Sequence, residues 1–85
     1  MRKKALLKLA SYSPDNFLNR LLGKMQLKND AALARTLDVT PAVVSRIRNK
    51  KAPISANLLL MIHDTTAIAI PELRRMMGDS RRLFS

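Results

Sequence analysis

The chain has 85 residues, enough for one compact domain and too few for a second one that would sense a metabolite or carry chemistry. Sixteen Lys and Arg against six Asp and Glu give a net charge of +10, a field that attracts polyanions, nucleic acid first, although basic surfaces also serve solubility or acidic protein partners. Cysteine is absent, which excludes disulfides and thiolate metal sites and suits a reducing cytoplasm.

The opening MRKKALLKLASY has the basic start of a signal peptide, but Lys8 interrupts a short apolar segment and no long apolar region follows, so it reads as mature protein. Residues 3–10 fit a short helix with a basic flank, and 1–13 together form an N-terminal basic helix or arm ahead of a domain over 14–77. Ser13 and Pro14 give a cap-plus-proline start. Phe17, Leu18, Leu21, Leu22 and Met25 follow at helical spacing, which predicts a helix over 14–25. Asn29 is the expected cap of a third helix running to Leu37, with Asp30 in its first turn and Leu33, Ala34 and Leu37 as its stripe.

Thr40 and Pro41 repeat the cap-plus-proline start for a helix carrying Val43, Val44 and Ile47 and ending near 49 or 50. KKAPI reads as a basic loop. Ser55 caps the next helix, to about Asp64, in which Leu58 to Ile62 form five apolar positions in a row. Five consecutive positions cannot share one helix face, so some belong to a second buried surface, inside the domain or on a partner. That run is also far shorter than the ~20 apolar residues a membrane span needs. Pro71 opens a last helix, with Leu73, Met76 and Met77 inward, Arg74 and Arg75 outward, and Gly78 as its stop. Residues 78–85 read as a short basic tail, in which Leu83 and Phe84 could dock on a surface. With two Phe, one Tyr and no Trp, the core is aliphatic, which suits packed helices. The expected fold is all-α, about five short helices.

Two short helices joined by a three- or four-residue turn, the second basic on its free face, are the parts of a helix-turn-helix. Ala34 is the small residue that allows close helix approach, and Val39, Val44 and Ile47 fill the wedge. The stretch DAALARTLDVTPAVVSRIRNKKAPIS resembles the lambda repressor and Cro-like (xenobiotic response element) family over roughly residues 14–77. The family pattern appears here as Ala34, the turn position Asp38, Val39, Thr40, Val43 with Val44, and Ser45 through Ile47. Asp38 is the departure, because the family commonly has Gly there. The position commonly needs a left-handed backbone, for which Asp or Asn is the least disfavoured alternative. The resemblance implies a lambda-repressor-like bundle, a small cytoplasmic, nucleoid-associated transcription regulator of bacterial or phage type, and a homodimer on double-stranded DNA.

At about 100° per residue, inward Val43, Val44 and Ile47 put the opposite face on Ala42, Ser45 and Asn49, with Pro41, Arg46 and Arg48 on its flanks. The expected base-reading residues are Pro41, Ala42, Ser45, Arg46 and Asn49: small side chains permit close approach, Asn pairs with adenine and Arg with guanine. Lys28, Asn29, Thr40, Arg48, Lys50 and Lys51 are the expected phosphate contacts, from long cations and a helix start. Ser45 and Thr40 also have plain structural roles, as a back-bonding hydroxyl and a cap, and Arg74, Arg75, Arg81 and Arg82 read as a solvated face.

The single His63 has no carboxylate pair, metal spacing or nucleophile around it, and no glycine-rich loop occurs. No enzymatic activity, metal, cofactor, membrane partner or small-molecule effector is expected. The competing readings are a protein-interaction adaptor using the Leu58 to Ile62 run or the tail, and a nonspecific nucleoid-type DNA binder in which only charge matters.

Overall fold

The computed structural model describes residues 11–79; the expected N-terminal helix at 3–10 and the tail residues Arg81, Arg82, Leu83 and Phe84 lie outside them. Five helices follow one another, α1 Pro14–Met25, α2 Asp30–Thr36, α3 Pro41–Arg48, α4 Ala56–Thr66 and α5 Ile70–Met76. The described residues contain no strand. Helix α3 packs on both α1 and α2, and α4 packs on α5. No described helix is long and apolar enough to cross a membrane.

One core joins all five helices. Phe17, Leu18 and Leu21 of α1 meet Leu33 and Ala34 of α2, Val44 and Ile47 of α3, Leu58 and Ile62 of α4, and Leu73 and Met76 of α5. Ala34 is completely buried, as the close approach of α2 and α3 requires. Tyr12 is also buried, so the core extends one residue ahead of the cap Ser13. The apolar run of α4 divides by helical geometry: Leu58 and Ile62 face the core one turn apart, whereas Leu60 and Met61 are 52% and 39% exposed.

Helix starts use different devices. The Asn29 side chain accepts from the Ala32 N–H at 2.9 Å and the Ser55 hydroxyl from the Leu58 N–H at 3.1 Å, each satisfying an otherwise orphaned donor. Ser13 makes no side-chain cap bond, contrary to expectation. Its backbone is committed elsewhere, the Ser13 N–H donating to the Met77 carbonyl at 2.9 Å.

Helices α2, α3 and α5 end on one device. After α2 the Asp38 N–H donates to the Arg35 carbonyl and the Val39 N–H to that of Ala34; after α3 Lys50 donates to Ile47 and Lys51 to Arg46. These are the paired bonds of a Schellman motif, which needs a left-handed residue just past the helix. Asp38 (φ 56°) and Lys50 (φ 57°) take that conformation, so the Asp that stands in the turn adopts the backbone a glycine would favour.

After α5 the left-handed residue is Gly78, at φ 78°. A Cβ there would lie 1.8 Å from the Ser11 carbonyl oxygen, and the Ser11 hydroxyl donates to the Gly78 carbonyl at 2.6 Å. The chain therefore reverses at Gly78 and brings Asp79 back over α5. There the Arg74 Nε donates to Asp79 at 3.3 Å. This corrects the expected outward Arg74: the residue is 9% exposed, and burial of its guanidinium is compensated by the returning carboxylate. Arg75 does face outward, paired with Glu72 one turn earlier. The half-buried His63 also has a structural partner: its Nδ1 donates to the Ile68 carbonyl at 2.6 Å and ties down the exit of α4.

Candidate nucleic-acid interface

The free face of α3 follows from its two buried side chains. Val44 and Ile47 are each 2% exposed, and one turn of a 3.6-residue helix then turns Pro41, Ala42, Ser45, Arg46 and Asn49 outward, all of them exposed. Val43, expected inward, is 37% exposed; it sits on the edge of the stripe, over an apolar groove of about 350 Å³ shared with Leu58 and Met61.

The helix begins at Thr40, whose side chain makes no cap bond. Its hydroxyl and the first N–H groups of α3 are therefore not tied to each other, and Pro41 leaves one fewer orphan donor. At the other end, Asn49 folds back along the helix: its Nδ2 donates to the Ser45 carbonyl at 3.0 Å and lies 3.5 Å from the Ser45 hydroxyl. Ser45 and Asn49 thus form one polar patch.

Lys50 and Lys51 are exposed, held close to α3 by the bonds that end the helix. Together with Arg46 they surround a helix C-terminus, where positive charge also stabilises the dipole by roughly 0.3–1 kcal/mol. Lys28 and Asn29 are exposed at the start of α2. Asn29 spends its carbonyl oxygen on the cap of α2, leaving the donor end of its amide for an anion. Arg35, which sequence reasoning did not single out, adds an exposed cation on α2.

Arg48 is the expected contact that the structure places elsewhere. Its Nε and Nη2 donate to the two carboxylate oxygens of Asp30 at 2.7 and 2.9 Å, and its Nη1 donates to Asp15 Oδ1 at 2.5 Å. The hydrogen bond to Asp30, and then that to Asp15, raise the pKa of the guanidinium above its ordinary value against the opposing effect of burial. Arg48 lies near the border between the two faces of α3, where a helical wheel alone cannot assign it; the carboxylates at the starts of α1 and α2 draw it inward. The sequence assigns Asp30 only a first-turn dipole role and gives Asp15 none, and nothing in their spacing signals that they share one arginine.

Family models, curated proteins and solved structures gave no match to this chain. The arrangement is accordingly judged on its chemistry. Among the described residues no three His, Asp or Glu side chains are grouped to hold a metal ion. What α3 offers is a convex surface with small and hydrogen-bonding side chains along its middle and mobile-length cations at its end. Such a surface complements a groove lined by donors and acceptors and bordered by phosphates.

Proposed function

We propose that this protein is a sequence-specific double-stranded DNA-binding transcription regulator of the lambda-repressor type. In this reading α2 and α3 act as a helix-turn-helix, and α3 enters the major groove as its recognition helix. Ala42 and Ser45 allow close approach to base edges, Asn49 and Arg46 make the discriminating hydrogen bonds, and Pro41 borders the groove. Lys28, Asn29, Thr40, Lys50 and Lys51 hold the sugar-phosphate backbone. The observation that carries the proposal is the division of α3 itself: Val44 and Ile47 fix it to the core while Ala42, Ser45, Arg46 and Asn49 stand exposed.

The protein works in the cytoplasm, on the nucleoid, as a homodimer, with occupancy of the operator as its mechanism and no small-molecule effector or catalysis. A protein-contact adaptor is the second reading, favoured by the exposed Met61 beside Val43 and the exposed Leu60. Selection of bound duplexes from a random pool at near-physiological salt separates the two. An enriched inverted repeat with half-sites about 10 base pairs apart, or a multiple of that, supports the regulator. Binding without enrichment favours the nonspecific binder, and no binding favours the adaptor. On the selected site, Asn49→Ala and Ser45→Ala should lower discrimination, each bidentate base contact being worth about 1–3 kcal/mol. Lys51→Ala should instead weaken all duplexes alike and flatten the salt dependence by about one phosphate contact.

A further inference from the structure

Helix α3 has only eight residues, and its two fully buried side chains, Val44 and Ile47, lie close together on one stripe. Two neighbouring contacts on a short helix set which face is buried but hold its rotation about its own axis only coarsely. Its third fixed point is Arg48, the last residue of α3, where one guanidinium joins three helices. It grips both oxygens of Asp30, the first residue of α2, and reaches the Oδ1 and the carbonyl oxygen of Asp15, the second residue of α1, at 2.5 and 3.3 Å. The arginine is the enclosed member: its side chain is 19% exposed, against 34% for Asp30 and 65% for Asp15. Only a planar fork can make this set of bonds, and lysine cannot reproduce it.

The charge of the cluster argues against a phosphate contact. One guanidinium stands between two carboxylates, so the group as a whole is negative. We infer that Arg48, clasped by Asp15 and Asp30, is a positioning residue that sets the roll of α3, so that Ser45, Arg46 and Asn49 meet base edges in register. This inference rests on the DNA-reading proposal above. The geometry makes the roll matter: at a helix radius of about 5 Å, a 20° roll moves a side-chain tip by nearly 2 Å, whereas hydrogen bonds to base edges tolerate only about 0.5 Å.

The two roles predict opposite signs. The test compares wild type, Asp15→Asn/Asp30→Asn, Arg48→Lys and Arg48→Met on the selected duplex and on a scrambled one. Affinities are measured at two salt concentrations, well below each protein's melting temperature, with circular dichroism confirming the fold. As a positioning residue, Arg48 requires that the double Asn variant lose at least tenfold in the ratio of specific to nonspecific affinity, although it removes two negative charges. Arg48→Lys should then fail to restore that ratio.

A phosphate contact predicts the reverse: the double Asn variant binds every duplex more tightly with its ratio intact, and Arg48→Lys behaves like wild type. Either result, or an unchanged ratio in all variants, overturns the inference. If Arg48→Met does not fold, the other two variants still decide. If the wild-type protein itself enriches no sequence, the DNA-reading proposal fails first, and that failure is visible before any variant is made.

Discussion

The orientation of α3 decides which residues can touch a partner, and two adjacent valines test it. Val44 is 2% exposed and Val43 is 37% exposed. Truncating Val44 to Ala removes two buried methyl groups, worth about 0.8 kcal/mol each, and a partly relaxed cavity adds about 1 kcal/mol. The expected loss is about 2–3 kcal/mol. For a domain of this size 1 kcal/mol corresponds to roughly 4–8 °C in melting temperature, so Val44→Ala should melt some 10–20 °C below wild type. Val43→Ala keeps the core intact and gives up only partial cover of the groove beside α4, about 0.5–1 kcal/mol on the same scale. Thermal melts of the three proteins by far-UV circular dichroism, in one buffer, measure both differences. A Val43→Ala melt as low as that of Val44→Ala would refute the reasoning. It would mean that α3 is turned by about 50°, half the step between neighbouring residues, with Ser45 no longer at the centre of its free face.

Lys50 holds a left-handed backbone at φ 57°, a conformation that costs a side-chain-bearing residue about 1 kcal/mol relative to Gly. Lys50→Gly should therefore raise the melting temperature by several degrees while weakening binding to every duplex, a combination read from a melt and a titration on one preparation. Glu72 is held below its ordinary carboxylate pKa of 4.5 by its hydrogen bond to Arg75. Because the folded value is the lower one, the pair's contribution is fully present above pH 4.5 and disappears as the pH falls through the lowered value. NMR titration of the Glu72 side chain should show the depressed midpoint, and Arg75→Gln should return it toward 4.5.

Much of this molecule is legible in its sequence. Cap and proline signals at Asn29, Thr40 and Pro41 locate α2 and α3 within a residue or two. Apolar spacing identifies Val44, Ile47, Leu33 and Ala34 as core. These features are local: a capping side chain reaches three residues ahead, and a stripe repeats every turn. The left-handed turn at Asp38 follows from the resemblance, which puts Asp38 where the family commonly has Gly; the same backbone at Lys50 has no such signal. The exposed candidates Ala42, Ser45 and Asn49 follow from the same periodicity.

What the sequence left open involves partners that only the folded chain brings together. The sequence makes Ser13 a side-chain cap, but it gives its N–H to Met77. The sequence puts Arg74 on a solvated face, but it is buried against Asp79 once Gly78 has turned the chain back. The sequence makes Arg48 a phosphate contact, but it is held by two carboxylates, 33 and 18 positions away. A long cationic side chain spans several ångströms and goes to whichever anion the fold brings within reach, so its role depends on where other helices begin. Periodicity fixed which face of α3 is buried; only the meeting of the starts of α1 and α2 at its last residue decided which of its cations remain free to bind.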